Sequence, residues 1–76
     1  MRLLVVEDEK KLCDMIAKSL HQSGYEVDVC NDGEEALDMI YAEMYDLIVL
    51  DLNLPGVDGM EILRELRKED EETKVL

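Results

Sequence analysis

The stretch DLIVLD at residues 46–51 decides the fold class. Its four central residues are apolar, and they lead directly into the carboxylate of Asp51. A second block of this kind, LLVV at residues 3–6, leads into Glu7 and Asp8. Short, continuous, branched apolar runs are typical of strands that are buried on both faces, as in parallel sheets. The two blocks therefore predict two buried parallel strands, each ending in acidic residues.

Apolar residues at helical spacing follow the first strand. Leu12, Ile16 and Leu20 follow one another at intervals of four residues, which places them on one face of a helix over residues 10–23. Gly24 stands where a left-handed residue usually ends a helix. We therefore expect a helix here with these three side chains on its apolar face, and with Cys13 and Ala17 beside them.

The remaining segments continue the alternation of strands and helices. Residues 25–30 alternate apolar with acidic or small side chains, which predicts a half-exposed edge strand. Asp32 is placed to cap a second helix that reaches about Met44, and Asp58 is placed to cap a third helix. The third helix is predicted to turn three apolar side chains inward, Met60, Leu63 and Leu66. Residues 73–76 indicate the beginning of a fourth strand.

The order β-α-β-α-β-α, followed by the start of another strand, predicts an α/β fold. Such alternation implies right-handed crossovers and a doubly wound parallel sheet with helices on both faces. In open sheets of this type, ligands bind outside the carboxyl ends of the strands. We expect residues 1–76 to form one domain, with its functional groups at that end of the sheet.

Composition excludes several classes of function. The 20 acidic residues outnumber the 8 Lys and Arg, giving a net charge of −12, so we expect no nucleic-acid contact, which requires clustered basic residues. No apolar run reaches the roughly 20 residues needed to span a bilayer, so we expect no membrane contact. Cys13 and Cys30 have neither disulfide-framework nor zinc-site spacing. These features favour a cytoplasmic location.

The acids that follow the two buried strands are the candidate functional residues. If the strands are parallel neighbours, Glu7, Asp8 and Asp51 meet at one edge of the sheet. Clustered carboxylates repel one another unless a cation is present, and their hard oxygen atoms suit Mg²⁺. A carboxylate can also accept a phosphoryl group covalently. The acids therefore indicate a metal site with Asp51 as nucleophile, although single acids after strands are also common turn formers.

Two segments carry a specific family resemblance. Residues 4–9, LVVEDE, and residues 46–59, DLIVLDLNLPGVDG, closely resemble the receiver domain of two-component response regulators, in particular its winged-helix transcription-factor branch. The resemblance extends over residues 1–76. It implies a flavodoxin-like fold whose first strands lie in the order 2-1-3, with the start of strand 4.

The resemblance also implies a role for individual residues. Asp51 would accept a phosphoryl group from a sensor histidine kinase, and the change would control a DNA-binding output domain. Mg²⁺ would be bound by Asp51, directly by Asp8, through water by Glu7, and by the backbone carbonyl of Asn53. The implied role is that of a phosphoacceptor signalling domain rather than an enzyme.

The match departs from the family at its carboxyl end. Complete receivers continue through strand 4, helix 4, strand 5 and helix 5, and two of these strands carry a Ser or Thr and a Lys that contact the phosphoryl group. Residues 1–76 would thus be a partial receiver with impaired phosphorylation and no output domain. Without a full fourth strand, residues 47–50 would form an exposed apolar edge, which predicts self-association.

Three other functions share some features with this sequence. An EF-hand calcium site needs an oxygen ligand at Pro55 and a bidentate Glu at Ile62, and neither is present. An aspartyl-phosphate phosphatase would want an acid at Asn53. A phosphorylation-independent interaction module, or an engineered folding or self-assembling fragment with the receiver pattern, remains open on the sequence alone.

Overall fold

A parallel sheet forms the centre of this computed structural model, which describes residues 1–51, 54, 57–69 and 74–75. The elements are β1 (Arg2–Val6), α1 (Lys10–Gln22), β2 (Glu26–Cys30), α2 (Gly33–Ala42), β3 (Leu47–Leu50), α3 (Gly59–Glu69) and β4 (Lys74–Val75). The described strands lie in the order β2-β1-β3-β4, and every neighbouring pair is parallel. The order 2-1-3 and the start of a fourth strand are therefore confirmed.

Strand β1 is the centre of the core. Residues 3–6 are each at most 1% exposed, as expected for a strand that is covered on both faces. Leu4 and Val6 belong to a cluster that includes Ile48 of β3 and residues of α2 and α3. On the α1 side, the Cys13 thiol lies 3.9 Å from the Val5 carbonyl oxygen. Strand β2 is half-exposed at the edge of the sheet, which confirms its predicted position.

The inward faces of two helices differ from the sequence prediction. In α1, Cys13 is fully buried as predicted, but Leu12, predicted on the same face, is 39% exposed. In α3, Met60 is 44% exposed, whereas Ile62 and Leu66 form the buried face. Both stripes contain more apolar residues than one face can bury, so the spacing alone does not determine which of them contacts the sheet. Helix α2 also ends earlier than expected, at Ala42 rather than near Met44.

Each predicted helix-end residue adopts its expected role. Gly24, just beyond α1, has φ +97°, the left-handed conformation that glycine adopts without strain. The Asp32 side chain accepts a hydrogen bond of 2.8 Å from the Glu35 backbone N–H at the start of α2. The Asp58 side chain accepts one of 3.1 Å from Met60 at the start of α3. These local contacts fix where each helix begins or ends.

Neither cysteine is in a disulfide, and both thiols are buried. Burial raises the pKa of Cys13 and of Cys30, so neither carries the lowered pKa of a reactive thiol. Among the described residues, no helix is both long enough and apolar enough to cross a bilayer.

Arg2 lies at the amino end of the sheet, opposite the acids of interest. Its guanidinium lies 3.0 Å from Glu43, 3.6 Å from Glu26 and 3.8 Å from Asp28. The Tyr45 hydroxyl, in a side chain that is 6% exposed, donates a hydrogen bond of 2.8 Å to Asp28. Burial, and then the hydrogen bond to the Asp28 carboxylate, raises the pKa of Tyr45. This network ties β1 and β2 to the segment that precedes β3.

We expect Tyr45→Phe to lower the free energy of unfolding by about 1.5 kcal/mol at neutral pH, since a buried hydrogen bond to a charged group is lost. The pKa of Tyr45 in the folded chain lies above its unfolded value of about 10. The hydrogen bond therefore makes its full contribution to the free energy of unfolding below about pH 10, and that contribution declines as the pH rises further. Urea titrations of both chains should show the difference narrowing above that pH.

The matched control for this prediction is Tyr41→Phe. Tyr41 also donates to a carboxylate, Glu65, at 2.9 Å, but it is 53% exposed. Removal of this exposed hydroxyl should change the free energy of unfolding by less than about 0.5 kcal/mol. A difference between wild type and Tyr45→Phe that stays constant to pH 11 (about one unit above the free tyrosine pKa) would contradict the prediction.

Candidate metal centre

The carboxyl ends of β1 and β3 bring the predicted acids together. In the register of these strands, Val6 lies opposite Leu50, and the Asp51 backbone N–H donates a hydrogen bond of 3.0 Å to the Val6 carbonyl. The side chains that follow the two strands therefore emerge at one edge. One oxygen atom from each of Glu7, Asp8 and Asp51 lies within 4.8 Å of the others. The expected convergence of the three carboxylates is present.

These acids remain accessible from outside the protein. Asp8 is exposed, and Glu7 and Asp51 are half-buried. Strand β1, which leads into Glu7 and Asp8, is buried at residues 3–6, so the backbone that carries these two acids is firmly packed. A small anion or a cation could approach the oxygens from solvent without unfolding the core.

Burial and the neighbouring acids both raise the pKa of Glu7. Burial raises the pKa of this residue first, and hydrogen bonding with the Asp51 and Asp8 side chains raises it further by favouring the protonated form. The Glu9 backbone N–H, 3.4 Å from a Glu7 carboxylate oxygen, acts in the opposite direction. Carboxylates that raise one another's pKa are stabilised by a dication, and an all-oxygen donor set suits Mg²⁺ or Ca²⁺. The residues present therefore fit a hard metal ion.

One predicted metal ligand belongs to the loop that follows Asp51. This residue, Asn53, lies outside the described residues. The described part of the loop includes Val57, half-buried against the core, and Asp58, which caps α3.

Sequence reasoning missed one residue beside the acids. The Asn31 side-chain amide donates a hydrogen bond of 2.9 Å to the Glu7 carbonyl, across 24 residues of chain. The sequence showed Asn31 only as the first residue of an Asn-Asp-Gly turn. Its reach to Glu7 follows from the parallel register of β1 and β2, in which Val6 pairs with Cys30.

The chain matches known proteins over its full length. A family model described as the response regulator receiver domain matches residues 3–76. The transcriptional regulatory protein TctD of Salmonella typhimurium is 45% identical over all 76 residues of this chain, which correspond to 34% of that protein. The chain thus spans about a third of the length of such curated relatives.

Solved structures agree with this match. TrrA from Thermotoga maritima, in complex with Mg²⁺–BeF, superposes with a TM-score of 0.92 at 39% identity, over 97% of this chain and 64% of that one. The complex of the histidine kinase ThkA with TrrA contains a chain that superposes with a TM-score of 0.89 at 39% identity, with the same coverage. The flavodoxin-like arrangement of strands and helices is therefore shared.

Proposed function

The chain belongs to the response regulator receiver family, and we propose that it accepts a phosphoryl group from a sensor histidine kinase on Asp51 in the presence of Mg²⁺. The observation that carries the proposal is the convergence of Glu7, Asp8 and Asp51 within 4.8 Å at the carboxyl ends of β1 and β3. An acid pair beside a single accessible carboxylate provides both metal ligands and a nucleophile.

Group transfer to Asp51 is a simple displacement. One carboxylate oxygen of Asp51 forms a bond to phosphorus, the phosphorus–nitrogen bond of the kinase phosphohistidine breaks, and the imidazole that leaves takes its proton from solvent. A bound Mg²⁺ supplies positive charge that lowers the repulsion between the anionic donor and the acids. Asp51 is half-buried rather than buried, so its carboxylate is in contact with solvent, from which a donor would approach.

We assign the metal ligands as the resemblance implies. Asp8 and Asp51 would contact the ion directly, Glu7 would contact it through water, and Asn53 would contribute its backbone carbonyl. The kinase is the proposed partner, and the ThkA–TrrA complex gives a precedent for such an assembly in a relative. In a longer protein, this domain would control a DNA-binding output domain of the winged-helix type, and the proposed location is cytoplasmic.

Incubation with acetyl phosphate tests the proposal directly. We expect the intact mass to rise by one phosphoryl group when Mg²⁺ is present and to stay unchanged when the metal is chelated. The absence of any gain in mass would favour the alternative, a phosphorylation-independent interaction module or an engineered folding fragment.

The exposed member of the cluster should control metal affinity. We expect Asp8→Asn to raise the dissociation constant for Mg²⁺ at least about tenfold, since a charged ligand is lost. The same change should slightly increase the stability of the metal-free chain, by a few tenths of a kcal/mol, because one repelling charge disappears. Calorimetric titration and thermal unfolding in a chelator measure the two effects.

Asp14→Asn is the matched control for Asp8→Asn. Asp14→Asn removes an exposed carboxylate from α1, outside the cluster, and should leave the affinity for Mg²⁺ unchanged. Equal dissociation constants for Asp8→Asn and wild type would remove Asp8 from the ligand set.

The proposed domain boundary is that of a partial receiver, residues 1–76, and self-association through the β3 edge remains a prediction. The edge is less open than expected, because β4 pairs with Leu47 and Ile48 through Lys74 and Val75. Within the described residues, the pairing of β3 with β4 ends at Ile48 and Val75. We expect the 76-residue polypeptide to sediment partly as a dimer at high micromolar concentration. A monomer throughout that range would contradict this.

A further inference from the structure

The turn between β2 and α2, residues 31–33, touches the loop that carries Glu7 and Asp8. The Asn31 side-chain amide donates a hydrogen bond of 2.9 Å to the Glu7 carbonyl. The Glu7 backbone N–H donates one of 3.0 Å to the carbonyl of Cys30. Both backbone polar groups of Glu7 are therefore bound by two consecutive residues of the neighbouring strand and turn. This pair of bonds fixes the direction in which the chain leaves β1 toward Asp8.

The same turn also touches the loop that follows Asp51. A Cβ atom at Gly33 would lie 2.8 Å from both the Cβ and the carbonyl oxygen of Val57 and 3.3 Å from its Cα. Gly33 does not have the positive φ that Gly24 has, so a glycine is needed here for space rather than for backbone conformation. The absence of a side chain at Gly33 lets the β3–α3 loop pack directly on the first turn of α2.

We propose that the Asn31–Gly33 turn positions the metal centre by bracing both of its loops at once. The Asn31 side chain holds the Glu7 peptide through its hydrogen bond. Gly33 leaves space for Val57, which lies between Asp51 and the α3 cap Asp58 in the sequence. Both are positioning residues, since neither belongs to the acid cluster itself. The inference rests on the proposed function insofar as that cluster binds Mg²⁺. Interactions beyond the ligands commonly determine how well a metal site is organised.

Asn31→Ala is the primary test. It removes the hydrogen bond to Glu7 and adds no atoms, so we expect the chain to fold. The dissociation constant for Mg²⁺ should rise about tenfold. In the metal-free chain, amide hydrogen exchange at Glu7 and Glu9, whose N–H groups are hydrogen-bonded, should accelerate, while exchange at Val5 stays slow. Gln22→Ala is the matched control, because it removes an exposed side-chain amide at the far end of α1.

The sign of the stability change in Gly33→Ala tests the contact between Gly33 and Val57. Replacement of glycine by alanine in a helix normally increases stability. Here the new Cβ would meet the backbone of Val57, which cannot be relieved by a side-chain rotation. We expect lower stability and a Mg²⁺ dissociation constant raised at least as far as in Asn31→Ala. A more stable Gly33→Ala chain with unchanged Mg²⁺ affinity would overturn the role of Gly33.

The outcomes separate the inference from the proposed function. If wild type binds Mg²⁺ and Asn31→Ala changes neither the dissociation constant, beyond about twofold, nor the exchange of the Glu7 and Glu9 amides, the positioning role is overturned. If wild type binds no Mg²⁺ but exchange accelerates in Asn31→Ala, the turn positions the loop and the proposed metal function fails. If neither binding nor a change in exchange is observed, both are overturned.

Discussion

Asp51→Asn should abolish the gain of one phosphoryl mass when the chain is incubated with acetyl phosphate and Mg²⁺. The amide of asparagine is not a nucleophile toward phosphorus, whereas the carboxylate oxygen of Asp51 is. Because Asp51 lies with Glu7 and Asp8 within 4.8 Å, loss of its charge also weakens the metal site on which the reaction depends. Both effects act in the same direction, so we expect a complete loss rather than a reduced rate.

Asp38→Asn is the matched control for this change. Asp38 is an exposed carboxylate on α2, outside the acid cluster, so its replacement makes the same chemical change away from the site. The control chain should be phosphorylated at the rate of wild type. Continued incorporation in Asp51→Asn would show that another side chain accepts the phosphoryl group, and the proposed function would fail. Hydroxylamine should release the group from wild type, since an acyl phosphate is labile to this reagent.

The sequence predicted the fold because its strongest signals were continuous. The two apolar blocks at 3–6 and 47–50 form neighbouring parallel strands. Strand β1 is buried on both faces, which is the reason that its block contains no alternating polar residues, whereas β3 buries Ile48 and Leu50 and leaves Leu47 and Val49 half-buried. The convergence of Glu7, Asp8 and Asp51 follows from this pairing, since parallel neighbours end at the same edge. The order of apolar and acidic residues along the chain was thus enough to locate the acids.

Features that depend on contacts between distant residues were not predictable. The apolar residues of α1 and α3 were recognised, and Cys13 lies on the predicted face of α1. Leu12 and Met60 are nevertheless exposed and Ile62 is buried, because the orientation of each helix is set by what it packs against. Likewise, the hydrogen bond from Asn31 to Glu7 depends on the register of β1 and β2. The spacing of residues along one segment contains neither piece of information.

Leu4→Ala should destabilise the chain by about 3–4 kcal/mol, because it removes a fully buried side chain from the central strand and leaves a cavity between sheet and helices. A domain of this length has a total stability of only about 4–11 kcal/mol. The change therefore removes a large part of the margin, and much of the protein should be unfolded at moderate temperature. Urea titration followed by circular dichroism measures the loss.

Leu12→Ala is the control that makes this result specific to the core. The two substitutions delete the same atoms, but Leu12 is 39% exposed and Leu4 is 0% exposed. We expect Leu12→Ala to cost less than about 1 kcal/mol, since part of its apolar surface already contacts water. Comparable losses in the two variants would mean that α1 buries Leu12, as its sequence spacing predicted. The much larger loss expected at Leu4 would instead show that the stability of the domain depends on the packing of β1, the strand that leads into Glu7 and Asp8.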